Sequence, residues 1–374
     1  MTTRLRTLLR FRWSSPAAAT RRPAAQARRK SAGLSLACGL LAFGLATATL
    51  VALLEEARPE WRDPEFGHRL KQIRHRRAET PGRPLVLVVG SSRTQMGVSP
   101  AAMGLPDGPT DPLVYNFGLM GATPVGIRFQ LFRALDAGVR PDFVLAELFV
   151  ANMAMGTPIE RQRNWAHPER LSAADVGLLE RDADDVETFR WRWRCARLTA
   201  WSSQRQALMA NWLPDWILHL PAERFLWMEV DEFGFVPFPL EYLPPQSREQ
   251  RQQHTYKTHR PAFLEFQVHA RPERALGELV GRCKAEGIPV ALFRTPESPW
   301  FRGCYTPQSR AAAEEFVASV SRSLQVTVFP SPDLAETDFA DGHHLLPHAA
   351  AKYSHWLADT HVKPWLMASG AARR

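Results

Sequence analysis

Leu85-Val86-Leu87-Val88-Val89-Gly90-Ser91-Ser92-Arg93 is the stretch from which the rest of the chain is read. An unbroken, β-branched apolar run without polar alternation predicts a strand buried on both faces, as in a parallel sheet. Gly90 ends the run. A serine on the turn that follows would stand at the carboxyl end of the sheet, where α/β proteins bind ligands. Ser92 is therefore the candidate nucleophile, although a Gly-x-Ser turn alone says little, because glycine and serine end strands in many proteins.

Working outward, Leu113 to Phe117 reads as a second strand. Thr123-Pro124 then caps and opens a helix whose Ile127, Leu131, Phe132 and Leu135 share one face, and Gly138 follows its end. Phe143 to Phe149 reads as a third strand. The alternation resumes with a helix over Pro272–Glu286, a strand over Pro289–Phe293, a helix over Ala311–Ser321, a strand over Val326–Phe329 and a closing helix from Pro347 to about Thr360. This punctuation predicts an α/β fold with a central parallel sheet and helices on both faces. Residues 155–261 break the pattern with Trp191, Trp193, Trp201, Trp212, Trp216 and Trp227, and read as a mostly helical insertion. Tryptophans there would serve as ordinary core in preference to stacking on sugars or lying against a bilayer.

The net charge of +9 invites a nucleic-acid reading, but Arg4, Arg6, Arg10, Arg12, Arg21, Arg22, Arg28, Arg29 and Lys30 account for all of it. The remaining chain is neutral and has no electrostatic footprint for a phosphate backbone, so no nucleic-acid partner is expected. Residues 1–31 read as a basic cytoplasmic tail without apolar periodicity. From Ala32 to Leu54 no residue is charged. As a helix this run spans roughly 35 Å, enough for a bilayer core of about 30 Å, so residues 32–54 read as a transmembrane anchor and its membrane contact. The run is longer than the apolar core of a cleaved signal peptide, the competing reading. Cations before it and Glu55, Glu56 after it predict a cytoplasmic N-terminus and an exported body. Residues 55–83, charged throughout, read as a stalk, and 363–374 as a tail. Cys195, Cys283 and Cys304 fall in the exported part, where one disulfide with one thiol left over is permitted, and their spacing fits no zinc pattern.

Near the C-terminus, Asp341-Gly342-His343-His344 precedes the closing helix. A serine hydroxyl is a poor nucleophile until an imidazole takes its proton, and a carboxylate fixes the imidazole's tautomer and stabilises its cation. Asp341 and His344, three residues apart on a loop, can serve as orienter and base, with Asp338 and His343 as close competitors. His254, His259, His348 and His355 lack the carboxylate context of a metal site, and neither metal nor cofactor is expected.

The early Gly90-Ser91-Ser92 turn and the late Asp341-x-x-His344 block together resemble the SGNH, or GDSL, hydrolases. The serine block is similar to that of the envelope branch, which includes D-alanyl-lipoteichoic acid transfer and polysaccharide O-acetylation proteins. Asn116-Phe117-Gly118-Leu119-Met120-Gly121-Ala122-Thr123 looks like the family's second block. The resemblance implies a flavodoxin-like three-layer sandwich over residues 84–154 and 262–362. It also implies a Ser92–His344–Asp341 triad and an oxyanion hole from the Ser92 amide and Gly121. The third donor is open: Asn152 stands about one residue off register, with Glu147 or an insertion residue as alternatives. The implied function is that of a single-pass protein of the bacterial inner (cytoplasmic) membrane. Its periplasmic or otherwise extracytoplasmic domain would act as a serine esterase or O-acyltransferase on an acyl ester of an envelope glycan or lipid, with a membrane-embedded acyltransferase as a candidate partner. The alternative is an inactive SGNH-fold protein for binding or assembly in envelope polysaccharide modification.

Overall fold

The structure, a computed structural model, describes residues 22–105, 108, 111–162, 165–213, 226–239 and 247–371. The chain divides into two compact units, Met1–Leu50 and Val51–Arg374. Residues 1–21, most of the expected basic tail, lie outside the described residues. A helix, Arg22–Ala52, begins well before the expected span. Within it and the following turn, Ser31–Glu56 is long and apolar enough to cross a membrane, and its Leu34, Leu40 and Phe43 are exposed. Its length and composition suit an anchor and a signal sequence alike.

The body is built on a five-stranded sheet: β1 Leu85–Val89, β2 Leu113–Asn116, β3 Phe143–Glu147, β4 Val290–Phe293 and β5 Thr327–Phe329. Every pairing is parallel, in the order β2-β1-β3-β4-β5. Successive connections reverse direction between β1 and β3, the switch point where such sheets open a crevice at their carboxyl ends. All of β1 is buried. Its side chains alternate between two cores: Leu85, Leu87 and Val89 face one, Val86 and Val88 the other. At roughly 1.5–3 kcal/mol per buried aliphatic side chain, this strand contributes on the order of 10 kcal/mol before chain entropy opposes it. That explains why it lies inside the sheet. Helices Pro124–Asp136, Ala270–Ala285 and Pro307–Leu324 cover the first face, and helix Pro347–Leu357 covers the second.

Two segments expected outside the domain belong to it. Residues 55–83 are no stalk: helix Pro64–Glu79 buries Ile73 in the first core, with Phe66 and Leu70 packed against that core. These three recur at helical spacing, an apolar stripe masked by the surrounding arginines. Arg69 is fully buried and donates from Nη1 to the carbonyls of Asn116 and Gly234, each at 2.8 Å. Asp63 pairs with Arg133 at 2.7 Å. Within the expected tail, 363–374, residues 363–371 are not loose either, because helix Lys363–Ala371 sets Trp365 edge-on against Phe143 and Phe329.

The insertion contributes helices Val186–Leu198, Ala200–Ser203, Arg205–Trp212 and Arg248–Leu264. Three of its tryptophans are not the expected core. Trp193 is half-buried against the first core, but Trp191, Trp201 and Trp212 are exposed. Trp216 and the side chain of Trp227 lie outside the described residues. The third strand is shorter than expected, ending at Glu147 because that carboxylate turns under the serine loop while Phe149 starts a helical turn, Val150–Met153. The cysteines are all free.

Replacing Arg69 by alanine leaves two buried carbonyls without their donor. Unfolding in urea should show a loss of about 2–4 kcal/mol. A detached stalk would leave the midpoint unchanged.

Candidate active site

Gly90 makes the turn after β1 possible. A Cβ there would lie 1.8 Å from the Thr94 hydroxyl oxygen and 2.8 Å from Cβ of Glu147, so only glycine fits. Ser92 then opens a short helix, Ser92–Gly97, with the Ser91 hydroxyl accepting from the Arg93 amide at 3.2 Å. Beneath the turn, the buried Glu147 carboxylate accepts from the Ser91 amide at 2.5 Å, the Thr94 hydroxyl at 3.0 Å and the Thr295 hydroxyl at 3.1 Å. Glu147 is thus an acceptor that holds the turn, which removes it as a candidate oxyanion donor.

The expected triad residues meet. Ser92 Oγ lies 2.8 Å from Nε2 of His344, whose Nδ1 lies 2.7 Å from Oδ2 of Asp341. The other Asp341 oxygen accepts from the backbone amides of His343 and His344 at 3.1 and 2.9 Å. Burial pushes the Asp341 carboxyl up, but the neighbouring His343 and His344 imidazoles and their hydrogen bonds outweigh it and hold the carboxyl well below the usual carboxylate range. With Nδ1 engaged by that carboxylate, the Nε2 lone pair of His344 faces the serine, the tautomer a general base needs.

The competitors take other places. His343 shares the Asp341 carboxylate at 3.2 Å, and its ring stacks on Phe149. Burial, opposed only in part by Asp341, lowers its pKa to about 4, so it is neutral at pH 7. Asp338 pairs with His348 at 3.1 Å, away from His344. His259 is buried edge-on to His343, and burial, reinforced by His343 and Arg93, holds its pKa well below the usual histidine range.

Ser92, Gly121, Asn152, Asp341 and His344 all line one cavity of about 590 Å³. Gly121 has φ +67°, a conformation that favours glycine. Asn152 is buried, and its Nδ2 reaches the Ala122 carbonyl at 3.4 Å. One wall is apolar, with Met96, Met120 and Phe238. Helix Arg248–Leu264 supplies another, with His254 and Thr258.

Three side chains with a part in the site are absent from the sequence reading. Arg93, next to Ser92 and buried, donates to the carbonyls of His343 at 3.2 Å, Thr295 at 2.9 Å and Pro296 at 2.7 Å while lying over the Phe149 ring. An arginine inside a tight turn after a buried strand was its only sequence signal. Phe238 lies 5.5 Å from the His344 ring, and Thr255 lies 3.4 Å from His343 Nδ1; neither carries a motif. Among the described residues, Asp341, His343 and His344 also form a group spaced to hold a metal. An ion there would have to displace the proton between His344 and Asp341.

Fold and site together define a Ser–His–Asp constellation at the carboxyl edge of a doubly wound parallel sheet. No family model matches the chain, and no match is found among the curated proteins.

A buried histidine with a lowered pKa destabilises the fold at acid pH, because the unfolded chain binds the proton first. Stability should therefore fall as pH drops from about 6.5 towards 4, by roughly 3 kcal/mol for the His343 share. Urea midpoints of the parent and of His343→Gln across that window check this: the variant should show a shallower slope.

Proposed function

We propose that this chain is an SGNH/GDSL-type serine esterase or O-acyltransferase of flavodoxin-like fold. It is anchored in the bacterial inner membrane by its N-terminal helix and acts outside the cytoplasm on an acyl ester of an envelope glycan or lipid. The observation that carries the reading is the continuous hydrogen-bonded line from Ser92 through His344 to Asp341, drawn from segments about 250 residues apart. Residues so far apart in sequence have no reason to converge in this order by chance. The membrane part of the reading is supported by the apolar helix, and the envelope substrate by resemblance to the envelope branch.

In the mechanism, Ser92 Oγ attacks the ester carbonyl as its proton passes to His344 Nε2. Asp341, ionised across the working range, stabilises the imidazolium without taking the proton. The carbonyl oxygen becomes an oxyanion, for which the Ser92 amide, in the first turn of its helix and so without an intrahelical partner, and Gly121 are the donors. Collapse breaks the ester C–O bond, and the leaving alcohol takes the proton from His344. Water or a sugar hydroxyl then attacks the acyl-Ser92 ester, with His344 accepting its proton and returning it to Ser92. The apolar wall of Met96, Met120 and Phe238 suits the acyl chain, and the polar helix wall suits a hydroxylated acceptor.

The second reading, an inactive protein for binding or assembly, draws on the Asn152 amide, which is turned towards the Ala122 carbonyl. A fluorophosphonate probe separates the two. Labelling should occur in the parent and vanish in Ser92→Ala, and hydrolysis of p-nitrophenyl acetate should fall by about 10³-fold or more in Ser92→Ala and His344→Ala. Labelling that persists in Ser92→Ala, or a folded parent that neither labels nor turns over, overturns the catalytic reading.

A further inference from the structure

The exposed tryptophans of the insertion lie on consecutive helices, two of which contact residues 55–61. Helix Val186–Leu198 has two faces: Phe189 is buried and Trp193 is half-buried, donating from Nε1 to the Leu171 carbonyl at 3.0 Å. Opposite them, Trp191 and Leu198, seven residues apart and on one side of the helix, are 61% and 69% exposed. The next two helices add Trp201 and Trp212, also exposed, and Leu213 follows them. So many large apolar side chains facing out on three consecutive helices is unusual for a surface that meets only water.

The same helices grip residues 54–62. Arg197 pairs with Glu55, Trp212 meets Trp61 edge-on at 5.2 Å, and Arg62 reaches both Glu55 at 2.9 Å and the Leu54 carbonyl at 3.2 Å. Leu54 and Glu55 are among the last residues of the apolar span Ser31–Glu56. If that span lies in a bilayer, its end marks the membrane surface, and the helices that hold it are at that surface too. Their charge agrees. Residues 186–212 carry Arg190, Arg192, Arg194, Arg197 and Arg205 against Glu187 alone, although the chain beyond residue 31 is neutral. Tryptophan and leucine flanked by arginine are what a helix presents to the boundary between acyl chains and anionic headgroups.

We infer that helices Val186–Leu198 to Arg205–Trp212 form an interfacial platform that lies on an anionic lipid bilayer, with Trp191, Trp201 and Trp212 entering the headgroup boundary. The platform thereby takes the place of the expected stalk as the part of the body that meets lipid. The platform rests on the anchor reading of the N-terminal helix but not on the chemistry of Ser92.

The test uses the full chain in phosphatidylcholine vesicles containing phosphatidylglycerol and lipids brominated close to the headgroup end of the acyl chains. Bromine should quench tryptophan emission in the parent, and the Trp191→Phe/Trp201→Phe/Trp212→Phe variant should lose at least half of that quenching. The lost share should shrink in vesicles of phosphatidylcholine alone. Trp191→Phe by itself, a change at an exposed position, repeats the measurement where the triple variant misfolds by circular dichroism. Equal quenching in parent and variants overturns the platform, as does a face covered by a protein partner or a second copy, seen as bromine-insensitive tryptophans together with a variant-dependent mass in detergent. Flotation of the chain with vesicles tests the anchor on its own, and fluorophosphonate labelling tests the triad on its own. Failure of either is thus distinguishable from failure of the platform.

Discussion

A buried carboxylate ties together the carboxyl ends of three parallel strands. Glu147, the last residue of β3, accepts the Ser91 amide and Thr94 hydroxyl from the turn after β1 and the Thr295 hydroxyl from the loop after β4. A carboxylate withdrawn from water costs several kcal/mol unless its lone pairs are filled, so any movement of the serine turn would leave Glu147 under-satisfied. The position of Ser92 is therefore a property of the sheet rather than of a flexible loop. Gly90 is part of the same constraint, since a side chain there would occupy the space that Thr94 and Glu147 share.

Arg93 extends the constraint to the other half of the site. Its guanidinium, over the Phe149 ring, donates to carbonyls on the loop after β4 and on the triad loop itself. The neighbour of Ser92 thus also sets the position of the loop that carries His344, so the two side chains are held together by one guanidinium. Asp341 completes the arrangement by accepting from the backbone amides of its own loop before it meets either imidazole.

The insertion serves both the site and the surface. The segment leading to Phe238 is pinned to the serine helix through the Val236 amide on the Gln95 carbonyl and to the sheet edge through the Asn116 amide on the Phe233 carbonyl. Helix Arg248–Leu264 bonds the triad loop through Arg248 and Arg251 to the carbonyls of Phe339 and Ala340. Meanwhile the tryptophan helices hold Glu55 and Trp61. Arginine does much of this joining, because its long apolar stem can cross a core while its fixed fork reaches two or three carbonyls at once.

The amino-acid sequence by itself determined the parallel sheet, the helices of its two faces and the apolar span, and offered Ser92, Asp341 and His344 as candidates that only a family resemblance joined into one set. Each of these is a local signal: an unbroken apolar run, a helical period, or a short loop pairing acid and histidine at fixed spacing. Only the tertiary structure decided that Glu147 is an acceptor, that Arg69 and helix Pro64–Glu79 belong to the core, and that Trp191, Trp201 and Trp212 face outward. A residue's polarity states what it needs, a hydrogen-bond partner or escape from water. Whether that need is met by solvent or by a carbonyl 47 residues away, as for Arg69 and Asn116, depends on contacts that exist only once the chain has folded.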